Sequence, residues 1–197
     1  MTKQQTDLFA PPLLPQGSPE GLAYRADVVA PDEEAGLARQ AGELDLKPFE
    51  FRGYQGFRRV KAFGWRYDYS AQEVQRAADI PEFLMPLRAR IADLAGLEPD
   101  QLNHALVTEY RLGAGIGWHR DRPQFGEVVG VSLLSPCVLR FRRKRGAGWE
   151  RAGLKAEPRS AYLLSGPARS EWEHSIAPLD QLRYSITFRR LLKPPLP

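Results

Sequence analysis

The segment GIGWHRD, residues 115 to 121, places two side chains that commonly bind metals close together. His119 and Asp121 are separated by one residue, so in an extended strand both would project from the same face. An imidazole and a carboxylate side by side could be two ligands of one metal ion. The alternative is a polar pair on the protein surface, because an H-x-D triplet also occurs by chance.

A third candidate ligand lies further along the chain. His174, in the segment SEWEHSIAPL, comes just before the last predicted strand. Together with His119 and Asp121 it would complete a facial triad, which leaves other coordination positions open as in non-haem Fe(II) oxygenases. The chain has one cysteine, Cys137, so neither an intramolecular disulfide nor a thiolate cage can form.

The last predicted strand, RYSITFR, carries two arginines six residues apart. Alternation along a strand would put Arg183 and Arg189 on the same face as Ser185 and Thr187. Two guanidinium groups directed into a cavity are costly to bury unless a carboxylate meets them. A dicarboxylate cosubstrate would supply that partner.

The elements that would position these residues are strands. Between about residue 104 and residue 190, short segments rich in β-branched or aromatic residues are separated by Gly or Pro. In chain order they are HALVTEY, VVGVSLL, CVLRFRR, SAYLLS and RYSITFRR. They predict an all-β core of the barrel or sandwich kind. The glycines before the HRD segment match no phosphate-loop pattern and indicate a turn that leads into the strand of His119; they are Gly113, Gly115 and Gly117.

The region before this core is predicted to contain helices and hairpins. After Pro31, acidic residues followed by Leu37, Ala41 and Leu44 on one side predict a helix. Residues 49–70, in which Gly separates aromatic segments, favour hairpins.

Two further stretches complete this region. Residues 71–97 predict a helix in two pieces, with breaks before Pro81 and Pro86. Residues 1–20 are rich in Pro and polar residues and predict a flexible tail without secondary structure.

Composition indicates one globular domain, with 43% hydrophobic and 26% charged residues in 197. There is no apolar run of the roughly 20 residues that span a bilayer and no secretion signal, so a cytoplasmic monomer without membrane contact is expected. The net charge is +4, and basic residues cluster in FRRVK (57–61) and LRFRRKR (139–145). These clusters admit a polyanionic partner or are solvated strand faces.

An aromatic stripe alternates along the segment FGWRYDY, with Trp65, Tyr67 and Tyr69 on one face. Core packing is one interpretation of such a stripe, and a stacking surface for an extruded base is the other. Three neighbouring cations would then meet phosphates: Arg58, Arg59 and Lys61. The candidate substrate contacts are Trp65, Tyr67 and Arg59.

Three other residues match no catalytic pattern. His104 precedes an apolar strand and is expected to be structural or to lie at the surface. Cys137 is expected to be a small buried hydrophobe. Arg169 is expected to form a structural ion pair, with a role at the site mouth or on a phosphate as the alternative.

Taken in order, several segments resemble the AlkB-like branch of the Fe(II)- and 2-oxoglutarate-dependent dioxygenases. The resemblance runs from about residue 48 to residue 191 and rests on these segments: TEY (108–110), HRD (119–121), SGPAR (165–169), His174 and RYSITFR (183–189). It implies a mainly β fold with N-terminal helices, in which a double-stranded β-helix (jelly-roll) core holds the metal at its mouth beneath an N-terminal lid.

The resemblance also implies a division of the chain. A flexible tail over residues 1–20 would precede an N-terminal helical and substrate-lid region over 21–100. The double-stranded β-helix dioxygenase core would occupy 101–192, and residues 21–192 would form one integrated domain.

The same resemblance implies roles for single residues. Three match the iron ligands, which are also the catalytic residues: His119, Asp121 and His174. Four match positions around 2-oxoglutarate: Arg183, Arg189, Tyr110 and Thr108. Arg183 would meet the distal carboxylate and Arg189 would act near the metal-chelating end. Thr108 stands where the family commonly has asparagine, and its hydroxyl offers fewer donors and a shorter reach.

The reaction implied by the resemblance uses Fe(II), with 2-oxoglutarate and O2 as cosubstrates. It yields succinate and CO2 and oxidises a C–H bond, so that an N-methyl group leaves as formaldehyde. The expected function is demethylation of N-alkylated bases in single-stranded or locally opened nucleic acid, as in DNA repair. Pro123 departs from the pattern, because some repair members have an acidic residue there that reads adenine.

Two other functions fit the same sequence. An AlkB-like oxygenase could act on protein or on a small molecule, and a β domain with a degenerate metal site could bind nucleic acid without catalysis. The intact set of two histidines, one aspartate and two arginines argues against the second, because a pure binding domain has no need to hold them together.

Overall fold

The computed structural model describes residues 14–51, 54–68 and 73–193, and these form a mainly β fold. The helices are α1 (Pro31–Glu43), α2 (Met85–Ala95) and the short α3 (Gly166–Ser170), with 3-10 turns at Glu82–Leu84 and Pro99–Gln101. No helix in the described ranges has both the length and the apolar surface that crossing a membrane requires. The strands, in chain order, are β1 (Leu22–Arg25), β2 (Lys47–Phe51), β3 (Tyr54–Phe63), β4 (Trp65–Asp68), β5 (Glu73–Arg76), β6 (His104–Tyr110), β7 (Ile116–His119), β8 (Phe125–Leu133), β9 (Cys137–Arg145), β10 (Gly148–Ala156), β11 (Ala161–Leu164), β12 (Glu173–Ile176) and β13 (Arg183–Leu191).

Two antiparallel sheets form the core. One has the strand order β1-β11-β8-β13-β6-β3-β2, and the other has the order β10-β9-β12-β7. Tyr110 and Val128 of the first sheet share a buried cluster with Leu139, Phe141 and Ile176 of the second, so the two sheets face each other. This arrangement confirms the predicted jelly-roll core.

Helices α1 and α2 cover the outer face of the seven-stranded sheet. Leu37 and Ala41 of α1, together with Leu87 and Ile91 of α2, join a second buried cluster that includes Val107 of β6. Strand β6 is therefore buried on both faces, and even its polar residues His104, Thr108 and Glu109 are buried.

The predicted helix after Pro31 and the predicted hairpins are confirmed. Pro31 begins α1, whose first turn is acidic. The hairpins are β2 with β3 and, separately, β4 with β5. Residues 14–20 form no helix or strand, and residues 1–13 of the expected tail lie outside the described residues.

The prediction of a first helical piece between residue 71 and Pro81 is wrong. Residues 73–76 form β5, which pairs with β4, and residues 71 and 72 lie outside the described part of the chain. Pairing with an aromatic strand outweighs the helical propensity of this segment. Pro86 does not break a helix either, because it lies in the first turn of α2, where no backbone N–H is needed.

A close contact between β8 and β11 predicts the effect of adding one methyl group. A Cβ atom at Gly130 would overlap the Cζ atom and the hydroxyl group of Tyr162. Gly130→Ala therefore overpacks the barrel and should lower the free energy of unfolding by about 1–3 kcal/mol in urea denaturation. The matched control is Gly153→Ala in β10, where the new Cβ would meet Val138 at an ordinary 3.7 Å. Equal stability of wild type and Gly130→Ala would contradict this packing.

Candidate metal and cosubstrate site

The two predicted histidine ligands lie on neighbouring strands. His119 ends β7 and His174 lies in β12, and the two residues are direct partners in the antiparallel register. Their ring centroids are 4.3 Å apart. The His174 ring is 6.4 Å from that of Phe141, which belongs to the cluster between the sheets. Strand pairing therefore brings the two imidazoles together at the inner face of the barrel.

Asp121 completes this group. Its side chain is 10% exposed, and its Oδ2 atom lies 3.7 Å from Nε2 of His174. The other oxygen, Oδ1, accepts a hydrogen bond of 3.1 Å from Nε of Arg189, and Nη2 of the same guanidinium lies 3.0 Å from it in an ion pair. Within the described residues Oδ2 has no hydrogen-bond partner. One carboxylate oxygen is thus held by Arg189, and the other is left facing His174.

The protonation states of the three side chains suit a divalent cation. Burial lowers the pKa of His119 and brings that of His174 to about 3. Burial alone would raise the pKa of Asp121, but the positive charge of Arg189 and the nearby histidines hold that pKa well below its usual range. Nδ1 of His119 lies 2.9 Å from the Gly117 carbonyl, to which it can donate, leaving the Nε2 lone pair available. The set is therefore two neutral imidazoles and one carboxylate.

The donors lie close to a coordinating arrangement without yet forming one. As they stand, no group of three His, Cys, Asp or Glu side chains in the described ranges has a geometry that could hold an ion. Two neighbouring ligands of an octahedral ion, each about 2.1 Å from it, are about 3 Å apart. The 3.7 Å between Asp121 and His174 is only slightly wider. The donor types and the unpaired buried oxygen of Asp121 fit Fe(II) after a small side-chain adjustment.

Arg183 provides a buried site for a carboxylate. The residue is 0% exposed, and its Nε donates a 2.9 Å hydrogen bond to Oγ of Ser132. Neither Nη1 nor Nη2 has a hydrogen-bond partner in the described residues. A buried guanidinium with two unpaired nitrogens is costly, and a bidentate carboxylate would remove that cost.

Tyr110 and Thr108 lie on the same inner surface as Arg183. Tyr110 is opposite Arg183 in the register of β6 and β13, and the guanidinium lies 5.1 Å from the Tyr110 ring centroid. Thr108 is opposite Ser185, which in turn is opposite Ser132 of β8. The structure thus brings these predicted cosubstrate residues together in a row rich in hydroxyl groups.

Two contributors to this surface were missed by the sequence analysis. Ser132 fixes the guanidinium of Arg183, and Tyr162 fills the space above Gly130. Alternation along VVGVSLL indicates that Ser132 could share a face with Gly130. No sequence pattern, however, singles out Ser132 or Tyr162 as a site residue. Tyr162 stays neutral, because burial raises its pKa.

Arg189 and His104 lie at the metal end of the site. The family resemblance implies a position for Arg189 near the chelating end of the cosubstrate, and the structure places its guanidinium on the Asp121 carboxylate. His104, expected to be structural or at the surface, is 4% exposed and lies opposite Arg189 in the strand register. Burial lowers the pKa of His104 well below its ordinary value, so it is neutral beside Arg189.

The structure does not bring Arg59 to this site. Arg59 makes two hydrogen bonds to Glu109, of 2.9 and 2.8 Å, and Tyr184 donates another to Glu109. Tyr184 belongs to the cluster beneath the helices, so Arg59 points away from the barrel interior. Arg58, the preceding residue, lies on the opposite face of the strand. The positive charge of Arg58 contributes to lowering the pKa of His119. Successive residues of one strand cannot both face the metal.

The aromatic hairpin contacts the loop that follows the metal ligands. Trp65 and Tyr67 are partly exposed, and Tyr69 lies outside the described residues. The guanidinium of Arg76 is 5.3 Å from the Trp65 ring centroid, and that of Arg122 is 4.6 Å from the Tyr67 centroid. Because Arg122 directly follows Asp121, this contact brings the hairpin close to the candidate metal site.

Arg169 fastens the same loop. Its guanidinium donates to the backbone carbonyls of Arg122, Phe125 and Gly126. A structural ion pair was expected, and that prediction is wrong: Arg169 forms no ion pair among the described residues, and its partners are backbone carbonyl groups. Cys137 is buried, as predicted.

Comparison with known proteins gives a family match over most of the chain. A family profile described as the 2OG-Fe(II) oxygenase superfamily matches residues 31–189. The alkylated DNA repair protein ALKBH8 homolog of Arabidopsis thaliana is 32% identical over 146 residues, covering 60% of this chain and 41% of that protein. The tRNA (carboxymethyluridine(34)-5-O)-methyltransferase ALKBH8 of Mus musculus is 27% identical over 182 residues, covering 87% and 26%. The chain thus spans between a quarter and two fifths of these relatives.

Solved structures share the fold. The structure of OsALKBH1 aligns with a TM-score of 0.65 at 16% identity, covering 88% of this chain and 97% of that one. A Pseudomonas putida prolyl-4-hydroxylase aligns with a TM-score of 0.59 at 16% identity, covering 86% and 92%. At this identity the likeness concerns the fold alone.

Replacing Arg183 tests the carboxylate site. Arg183→Lys should raise the 2-oxoglutarate concentration for half-maximal succinate formation by about tenfold or more, because an ammonium group cannot form the bidentate fork. Arg190→Lys is the control, since Arg190 lies on the same strand but binds Glu127. An unchanged requirement in Arg183→Lys would move this role to another residue.

Replacing Arg59 tests its structural role. Arg59→Ala leaves the buried Glu109 carboxylate less compensated and should lower the free energy of unfolding at pH 7 by about 2 kcal/mol. The hydrogen bonds from Arg59 lower the pKa of Glu109 below its ordinary 4.5, so this stabilisation is present above that pH. It is lost as the pH falls through the folded-state pKa, and the difference from wild type should shrink there.

Urea denaturation at pH 7 and at pH 3 would measure this difference. Lys61→Ala is the control, because Lys61 shares the strand face of Arg59 and contacts the Phe63 ring from 5.6 Å. A loss of nucleic-acid affinity in Arg59→Ala at unchanged stability would oppose the structural role.

Proposed function

Because the chain belongs to the 2OG-Fe(II) oxygenase superfamily, we propose that this AlkB-like dioxygenase oxidatively demethylates N-alkylated bases in nucleic acid. The proposal rests above all on the contact between Arg122 and Tyr67, which brings the aromatic hairpin of β4 and β5 to the loop that carries Asp121. A base extruded from a strand needs a ring to stack on and cations for its phosphates.

The protein side of the reaction is positioning. His119, His174 and Asp121 would hold Fe(II), which together with 2-oxoglutarate and O2 supplies the oxidation of the substrate C–H bond. Arg189 keeps Asp121 ionised and aims its second oxygen at His174. The burial of the carboxylate excludes water from this part of the site.

The cosubstrate would lie along the inner surface of β13 and β6. Arg183 would bind the distal carboxylate with its two unpaired Nη groups, while Ser132 holds the guanidinium in place. Tyr110 and Thr108 would donate hydroxyl hydrogen bonds along the same molecule. With these assignments, the register between β6 and β13 would determine how the cosubstrate is oriented.

The names of the relatives support a nucleic-acid substrate. One is called an alkylated DNA repair protein and another a tRNA methyltransferase. Pro123 provides no side-chain acceptor for an adenine amino group, so base selection would depend on other contacts. An oxygenase that acts on protein or on a small molecule is the competing function.

The test supplies Fe(II), 2-oxoglutarate and O2 to the protein with single-stranded DNA and RNA oligonucleotides that carry N-methylated adenine or cytosine. Mass spectrometry should detect loss of one methylene from an oligonucleotide, with stoichiometric succinate. Asp121→Ala should abolish both, because it removes the anionic ligand of the triad.

A matched pair of lid variants locates the substrate. Arg58→Ala should raise the KM for the oligonucleotide several-fold, whereas Arg59→Ala, whose side chain binds Glu109, should leave it near wild type at a temperature where both are folded. Succinate formation with methyl loss from cell protein or a small molecule, and from no oligonucleotide, would assign the enzyme to the competing function.

A further inference from the structure

The outer face of the four-stranded sheet carries an unusual concentration of positive charge. The cationic face consists of the outward residues of β9 and β10, with their neighbours on β7 and β12: Arg140, Arg142, Lys144, Arg151, Lys155, Trp118, Trp149 and Glu173. The inward residues Leu139 and Phe141 of β9 are buried, which fixes the outward direction of those between them.

Charge is distributed very unevenly over the molecule. The cationic face holds five cations and the Glu173 carboxylate, and Glu157 pairs with Lys155 at 2.6 Å, so the net charge of the face is +3 of the +4 of the whole chain. The remaining residues therefore sum to +1. The basic cluster noticed at 139–145 in the sequence thus belongs mainly to one surface, on the opposite side of the sheet from the metal ligands.

Two tryptophan side chains, Trp118 and Trp149, lie in the cationic face and contact Arg142. The guanidinium of Arg142 lies 4.5 Å from the Trp118 ring centroid and 4.3 Å from that of Trp149. The Nε of Arg142 donates to Glu173 at 2.6 Å, and the Nε of Arg140 donates to Ser175 at 3.1 Å. Both guanidinium groups are held through Nε, so their Nη atoms are oriented without being occupied by these bonds.

Other members of the face are available to a partner. Trp149 is 39% exposed. Lys144 and Arg151 are exposed and form no ion pair among the described residues. Helices cover the outer face of the seven-stranded sheet, whereas no helix of the described ranges packs on this one.

We propose that the cationic face is a second binding surface for single-stranded nucleic acid, separate from the metal site. Cations two residues apart on β9 are spaced by about 7 Å, comparable to successive phosphates of an extended strand. The exposed indole of Trp149 offers a stacking surface for an unpaired base, which a duplex would not present. The surface would bind strands irrespective of methylation and hold a long substrate near the oxygenase site.

The experiment measures binding of a fluorescent, unmethylated single-stranded 15-mer to the full chain by anisotropy across a salt series. Lys144→Glu/Arg151→Glu should weaken binding at least tenfold at low salt. It should also reduce the slope of log affinity against log salt by about 1.4, from two phosphate contacts at about 0.7 each. Trp149→Ala should weaken binding while leaving the slope unchanged, because stacking releases no counterions.

The control is Arg25→Glu/Arg39→Glu, which makes the same change in net charge at exposed positions on β1 and α1. It should bind almost like wild type. Equal weakening in both double variants, or no binding of the 15-mer by wild type, would overturn the proposed surface. Circular dichroism of each variant checks that the fold is kept.

A short substrate separates this proposal from the proposed demethylation. A methylated trinucleotide is too short to reach both surfaces, so Lys144→Glu/Arg151→Glu should demethylate it at the wild-type rate while its KM for a methylated 15-mer rises. If the double variant loses 15-mer binding and neither it nor the wild type demethylates any oligonucleotide, the second surface is supported and the demethylase function is rejected. If both proteins demethylate the trinucleotide and the double variant binds the 15-mer as well as wild type, the demethylase function is supported and the second surface is rejected.

Discussion

The candidate site depends on one buried charge interaction, between Arg189 and Asp121. Burial works against an ionised carboxylate, and the guanidinium 3.0 Å away offsets that penalty. Arg189 is itself positioned by β13, which pairs with β6 on one side and β8 on the other. A slip of β13 by one residue would turn Arg189 and Arg183 out of the barrel together. The ionisation of Asp121, the candidate metal ligand, and the candidate cosubstrate pocket are therefore set by the same strand register.

Strand alternation explains how much of this site could be predicted from sequence. The period of two along β13 places Arg183 and Arg189 on one face, and pairing with both neighbours enforces that period. The same rule separates Arg58 from Arg59, which the sequence analysis grouped by charge alone. Ser132 and His104 could not be identified because a single polar residue in an apolar strand has no pattern, and its role appears only when the neighbouring strands are known.

The fold was predictable where local preference and tertiary pairing agree. Helix α1 has a proline, an acidic first turn and an apolar stripe, and all of these favour the same structure. The segment of β5 lacks that agreement, because its Glu, Gln and Arg residues favour a helix while pairing with β4 favours a strand. Backbone pairing decided the outcome, and a single sequence does not reveal the partner strand.

The three carbonyl contacts of Arg169 have a consequence for how the candidate metal site responds to heating. The loop from Arg122 to Gly126 is mostly irregular, and one guanidinium from α3 gathers its carbonyl groups. Such a loop can open locally while the barrel stays folded, because few backbone bonds of its own resist opening. Asp121 would then gain access to water, and an iron ion held by the candidate ligands would dissociate below the melting temperature of the barrel. Hydrogen exchange would register this as amides of the loop that exchange long before those of β8 and β13.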